Sequence, residues 1–136
     1  MMKKHLTILT LLFTLMFSSI SYAEWTKVAG NVDGTTYYVD FDRIREVDGY
    51  VYFWSLHDYL KPNKLGDLSA KVYAQGDCKL FRIKVLDFSF FKEPMGEGTG
   101  KTGNNSNPEW QYPPPKTPME VTLKLVCDFA KLKFQE

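Results

Sequence analysis

Apolar and polar residues alternate along most of the chain between residues 24 and 91, and this pattern predicts a series of short strands. The clearest strand runs from Tyr50 to Tyr59. Alternate residues of a strand share a face, so one face is Val51, Phe53 and Ser55, and the other is Tyr50, Tyr52, Trp54 and Leu56. Both faces are largely apolar or aromatic, which is typical of a central strand covered on one side. The other predicted strands are residues 24–29, 35–40, 68–75 and 79–91, separated by turns such as Asp33-Gly34 and Gly76-Asp77-Cys78, and links this short favour an antiparallel meander.

The stretch from residue 92 to residue 118 breaks this pattern. It contains six of the 7 prolines and four of the 9 glycines. Such a composition buries too little apolar surface to order a chain, so the sequence predicts a long, exposed and flexible loop. Trp110 and Tyr112 are expected to pin its far end to the rest of the domain.

Residues 117–136 fit two patterns. Thr117-Pro118-Met119-Glu120 matches a capping box with proline at the first helical position. Alternation of Val121, Leu123 and Leu125 with polar neighbours is what a strand would show. We prefer the helix because its start signal is specific; its apolar stripe would be Met119, Leu123, Val126, Cys127, Ala130 and Phe134. The predicted fold class is therefore α+β, an antiparallel meander of about five to six strands with a C-terminal helix packed on one face.

The N-terminus has the pattern of a cleavable secretory signal peptide. Lys3 and Lys4 precede an apolar run from His5 to Ile20, and Ser21-Tyr22-Ala23 places small residues three before and one before the next bond. We expect cleavage after Ala23, which leaves a single domain of residues 24–136 in the periplasm, at the cell surface or secreted. No second apolar run approaches the roughly 18 residues needed to cross a bilayer, so stable membrane insertion is not expected.

The chain has 2 cysteines, Cys78 and Cys127, and export would carry both into an oxidising compartment. One disulfide is the simplest interpretation. A metal site is the alternative, but His57 is the only histidine after residue 23, so nearby ligands are lacking. The disulfide would join the predicted helix to the sheet.

The charge balance gives no support to two classes of partner. Removing Lys3 and Lys4 from the 17 basic residues leaves 15, against 16 acidic ones. A net charge this close to zero favours neither nucleic acid nor an anionic membrane surface.

Motifs for catalysis are absent from the sequence or fail on inspection. The segment Gly96 to Thr102 lacks the first glycine of a phosphate-binding loop, because Met95 stands at that position. His57 and Asp58 are neighbours on a strand and point to opposite faces, so they cannot orient one another. We therefore predict no catalytic, cofactor-binding or metal-binding residue, and we do not expect an enzyme.

Aromatic residues on the strands are the best candidates for recognition, since tyrosine and tryptophan contribute most to protein interfaces. The candidate contact residues, for a partner or a ligand, are Tyr50, Tyr52, Trp54, His57, Tyr59 and Trp110.

Several segments together resemble the surface-adhesin protein E family of Gram-negative bacteria. They are Trp25 to Val28, Asp33 to Asp40, Val51 to Trp54, Asp77-Cys78, Pro94 to Gly96, Glu109 to Tyr112 and Val126-Cys127. The resemblance implies a sheet of about six antiparallel strands, with a C-terminal helix held to it by disulfide bonding. It also implies a non-enzymatic protein, since a characterised member of that family binds host extracellular proteins. Here Glu24, not a cysteine, follows the expected cleavage site, so the lipid anchor of a surface lipoprotein is not expected.

Two hypotheses of different classes follow. In the first, the protein is an exported binding module that contacts another protein, such as a host extracellular protein, through its sheet face or residues 92–118. Pairing of sheet edges into a homodimer would extend this hypothesis. In the second, it is a periplasmic carrier that holds a small apolar ligand between sheet and helix, near Tyr52, Trp54 and His57. Neither requires a cofactor.

Overall fold

The computed structural model describes residues 23–135 and has the α+β fold that the sequence predicts. Its elements are β1 (Thr26–Gly30), β2 (Thr36–Val39), β3 (Arg45–Val47), β4 (Tyr50–Asp58), β5 (Ser69–Asp77), β6 (Arg82–Phe91), β7 (Gly100–Asn104) and α1 (Pro118–Phe134). Two short 3₁₀ turns, Phe41–Arg43 and Pro94–Gly96, lie between strands. The predicted signal peptide lies outside the described residues, apart from Ala23. Between Ala23 and Gln135, no helix is both long and apolar enough to cross a bilayer.

The sheet is an antiparallel meander in the order β1-β2-β4-β5-β6-β7, which confirms the predicted topology. Strand β3 forms a tight hairpin with the start of β4, while β2 pairs with the end of β4. Asp48 and Gly49 make that hairpin turn, both at positive φ. The sequence did not predict β3, because its three residues are all exposed and have no alternation to reveal them.

The turn predicted at Gly76-Asp77-Cys78 is wrong by two residues, since β5 continues to Asp77 and the turn follows it. Gly76 lies inside the strand, and its lack of a side chain leaves room for α1 to pass close above it. A Cβ there would lie 2.8 Å from Val51 Cγ2 and 2.9 Å from Leu123 Cδ1. Asp77 organises the true turn, accepting hydrogen bonds from the backbone N–H groups of Lys79 and Leu80.

The long loop predicted for residues 92–118 is also wrong in part, because β7 lies within it and pairs with β6. Gly100 and Gly103 leave room for aromatic rings of β6, since a Cβ on either would lie 2.7 Å from the ring of Phe91 or Phe88. The preceding turn is tied to the sheet, where Met95 N–H donates to Asp58 Oδ1 at 2.8 Å. Gly100 and Gly103 therefore make room for packing. From the sequence alone, the stretch has the glycine content of a loop.

Helix α1 and the disulfide are both confirmed. Thr117 caps the helix by accepting a hydrogen bond from the backbone N–H of Glu120, as the capping box predicts. The Cys78–Cys127 disulfide joins the helix to the turn after β5, with the two Cα atoms 5.7 Å apart. The strand alternative for this segment is therefore wrong.

One hydrophobic core lies between α1 and the sheet. Its buried members are Val39, Ile44, Val51, Phe53, Ala74, Ile83, Leu123, Val126 and Ala130. We call the side of the sheet that carries α1 the helix face, and the opposite side the open face. On β4 the helix face is Val51, Phe53, Ser55 and His57, and the open face is Tyr50, Tyr52, Trp54 and Leu56.

Candidate functional site

The centre of the open face carries a cluster of aromatic residues and one arginine, which we call the Trp54 cluster. Trp54 lies directly opposite Tyr73 in the β4–β5 pairing, and their ring centroids are 4.8 Å apart. Tyr52 stacks on the same Tyr73 at 6.3 Å. Arg45 Nη2 donates a hydrogen bond to Tyr73 Oη at 2.6 Å, and its guanidinium lies 5.8 Å from the Tyr52 ring centroid. The three rings are half-buried, so each keeps an accessible surface.

A second group, centred on Trp110, lies at one end of the same face. Trp110 stacks on Tyr50 with ring centroids 5.7 Å apart. The guanidinium of Arg82 and the ammonium of Lys84 lie 4.3 and 4.4 Å from the Trp110 ring centroid, within the range of cation–π attraction. Two backbone hydrogen bonds between Gln111 and Ile83, of 2.8 and 2.9 Å, hold this segment on β6. Trp110 therefore pins the segment as predicted, and Tyr112 beside it is 63% exposed.

The acidic groups beside these clusters include two that are already paired with basic ones. Asp40 is buried and pairs with Arg43 at 3.3 Å. Asp77 Oδ2 accepts from Arg82 Nε at 2.9 Å. Burial acts to raise the pKa of Asp77, but hydrogen bonds from Leu80, Arg82 and Lys79 outweigh it and hold that pKa below its ordinary value. Shallow grooves beside Trp54 are bordered by charged residues of both signs, which are Arg43, Arg45, Lys71, Asp40 and Asp42.

The six predicted contact residues do not form one site. Tyr50, Tyr52, Trp54 and Trp110 lie on the open face, His57 lies on the helix face, and Tyr59 follows the end of β4. Sequence reasoning missed Tyr73, although it alternates within a predicted strand. It missed Arg45 because β3 itself was not predicted.

His57 is enclosed on the helix face. The ring of Tyr37 meets its imidazole edge-on at 4.7 Å, and Ser55 Oγ lies 3.5 Å from its Nε2. Burial lowers the pKa of His57 to about 4, so the imidazole is neutral at physiological pH. The three residues expected to line a carrier pocket, Tyr52, Trp54 and His57, therefore do not lie together, because β4 directs the first two to the opposite side of the sheet.

The described residues of the two faces offer surfaces for contact. Within residues 23–135, no group of three or more His, Cys, Asp or Glu side chains is placed to hold a metal ion. His57 and Asp58 point to opposite faces of β4, as alternation requires, and Asp58 bonds the backbone of Met95.

Solved structures of other proteins share the fold of this chain. Crystal form II of Haemophilus influenzae protein E has a TM-score of 0.60 and 17% identity, covering 82% of this chain and 91% of that one. Another structure of the same protein has a TM-score of 0.60 and 15% identity, covering 86% and 92%. Protein E from non-typeable H. influenzae has a TM-score of 0.59 and 15% identity, covering 86% and 83%. At these identities the likeness shows a shared fold.

No curated protein sequence matches the chain. The family model for surface-adhesin protein E, however, matches residues 25–128, which is well over half of the sequence. The chain therefore belongs to the surface-adhesin protein E family.

Proposed function

We propose that this protein is an exported, non-enzymatic binding protein that contacts another protein through the open face of its sheet. Family membership and the fold of protein E support an adhesin-like role. The observation that carries the proposal is the Trp54 cluster, whose rings lie on the side of the sheet opposite α1. A host extracellular protein is the partner class that we favour.

The composition of the open face matches what protein interfaces use. Tryptophan, tyrosine and arginine dominate interface hot spots, because they combine a large apolar area with a polar group. Here Arg45 holds the Tyr73 hydroxyl while Tyr73 supports Trp54, so the rings are already ordered before any partner arrives. Preordered side chains lose less conformational entropy on binding, which favours affinity.

Residues 92–118 contribute to this surface through Trp110 and not as an independent loop. Deleting residues 94–107 would remove β7 and its pairing with β6, so this deletion cannot test binding alone. Point substitutions on the open face are the better test.

The decisive experiment is a binding screen of residues 24–136 against immobilised host extracellular proteins, followed by comparison of variants. Trp54→Ala and Tyr52→Ala should each weaken any binding found by about tenfold or more, as hot-spot residues do. The matched control is Leu132→Ala, since Leu132 is 87% exposed on α1. If Leu132→Ala loses as much binding as the open-face variants, or if both open-face variants bind unchanged, the open face is removed from the proposal.

Location is a separate part of the proposal. Protease treatment of intact cells should digest the protein if it is displayed at the surface. Protection until osmotic shock would place it in the periplasm, and direct contact with a host protein would then be excluded.

A homodimer formed through sheet edges remains part of the proposal. Among the described strands, β7 pairs only with β6, so its outer edge is available to a second copy. Lys101 lies in β7, and charged residues on an edge oppose such pairing. Light scattering over a range of protein concentrations would distinguish a monomer from a dimer directly.

A further inference from the structure

A cavity of about 300 Å³ lies on the helix face, between strands β4 to β6 and the start of α1. Val72 and Ala74 of β5 and Val85 of β6 form one wall, and Pro114 and Met119 form the rim opposite. Helix α1 packs mainly over β1 to β4, so the space beside its first turns is left unfilled. Pro114 is exposed and Met119 half-buried, which makes this rim the entrance from solvent.

The β4 wall of the cavity supplies two polar groups. Ser55 Oγ and His57 Nε2 are 3.5 Å apart, too far for a strong mutual hydrogen bond, so both keep the capacity to bond a guest. None of the residues around the cavity carries a formal charge, since His57 is neutral at physiological pH. An ionised guest would therefore lose its hydration without gaining a counter-charge.

The size of the cavity limits the guest further. An apolar cavity of roughly 150 Å³ accommodates benzene, so this one has room for about twice that volume. Ligand pockets with mostly apolar walls and a few polar groups are the ordinary form of small-molecule sites.

We propose that this cavity binds a small, uncharged and mainly apolar molecule whose single hydroxyl or carbonyl group bonds Ser55 and His57. A substituted phenol or a medium-chain alcohol has this chemistry. The site is distinct from the open face and does not depend on the protein-binding proposal.

The test uses residues 24–136 with the disulfide intact, titrated with 4-ethylphenol, 1-octanol, toluene and octanoate. Chemical shifts of the Ser55, His57 and Val72 amides and the melting temperature are measured. We expect 1-octanol and 4-ethylphenol to shift these amides and raise the melting temperature at low millimolar concentration. Octanoate should bind at least tenfold more weakly, because its carboxylate is charged.

Two variants separate the cavity from general hydrophobic adsorption. Val72→Phe places a ring in the cavity and should reduce 1-octanol affinity at least tenfold, while Val32→Phe adds the same ring at a fully exposed position and should have no effect. Ser55→Ala should weaken 1-octanol several-fold and leave toluene unchanged, which tests the polar contact without filling the space. Equal binding of octanol and octanoate, shifts confined to the open face, or no response to any neutral probe would overturn the proposal.

Discussion

The two faces of the sheet use the same kinds of residue for different purposes. On the helix face, Val51 and Phe53 are 3% and 1% exposed beneath α1, and the disulfide anchors the helix beside them. On the open face, Tyr52 and Trp54 alternate with those residues along the same strand yet remain half-exposed. Aromatic content on both faces therefore does not mean that both faces are covered. What distinguishes them is the cover, since α1 packs over Phe53, whereas Tyr52 and Tyr73 contact the exposed side chain of Arg45.

The difference also separates stability from recognition. Burial of apolar surface is the dominant favourable contribution to folding, so substitutions on the helix face should change the free energy of unfolding most. Exposed cation–π pairs and hydrogen bonds contribute roughly 1 kcal/mol or less each. Open-face substitutions should therefore affect binding more than folding.

The largest effect should come from the disulfide, which holds α1 on its face. The bond closes a loop with a sequence separation of 49 residues. On the chain-entropy model, replacing both cysteines by serine should lower the free energy of unfolding by about 4 kcal/mol. Urea denaturation of the variant beside the oxidised parent measures it, with reduction of the parent as the control. A change below about 1 kcal/mol would contradict this model of the bond.

A second test removes packing beneath the helix. Leu123 is 0% exposed on α1, so Leu123→Ala should cost about 3 kcal/mol from lost burial and the cavity left behind. Leu132→Ala makes the same change at an 87% exposed position and should alter stability by less than about 0.5 kcal/mol. Similar costs at both positions would contradict the assignment of α1's buried side.

The elements of this fold that could be predicted are those with a signal in their own stretch of sequence. Strand alternation, the Asp33-Gly34 turn and the capping box are local signals, and they predicted the meander and α1 correctly. Strand β7 was missed because Gly100 and Gly103 are explained only by rings of Phe91 and Phe88 on the neighbouring strand. The misplaced turn at Gly76 has the same origin, since the contact with Leu123 is distant in sequence.

The candidate site was predicted in part for a related reason. Tyr50, Tyr52 and Trp54 share a face by alternation alone, and the structure adds Trp110 to that face. Alternation also places His57 with Val51 and Phe53, so its separation from Tyr52 and Trp54 could have been predicted. The role of Arg45 could not, because it depends on a three-residue strand with no periodic signal of its own.

A third prediction concerns pH and belongs to the helix face. Burial lowers the pKa of His57 to about 4, below the ordinary value of 6.5. The unfolded chain therefore takes up this proton first, and the free energy of unfolding falls as pH drops below 6.5. Between pH 7 and pH 5 the loss from this group should be about 2 kcal/mol. Denaturation curves for the parent and for His57→Gln measure this loss over that range. The parent should lose more free energy of unfolding than the variant. An equal loss in both would mean that another group is responsible.

The smallest effect should come from the open face, and it sharpens the comparison most. Arg45 is exposed and bonds only the Tyr73 hydroxyl and the Tyr52 ring among the described residues, so Arg45→Ala should change the free energy of unfolding by less than about 1 kcal/mol. Arg82→Ala, at the Trp110 end of the same face, is the comparison, because it leaves the buried Asp77 carboxylate without its guanidinium and should destabilise the fold more than Arg45→Ala does. Binding of a partner by the Trp54 cluster should nevertheless weaken in Arg45→Ala, since the rings lose the group that orders them. Urea denaturation and the binding assay on the same two variants measure both quantities, and a destabilisation by Arg45→Ala as large as that by Arg82→Ala would mean that the Trp54 cluster also maintains the fold.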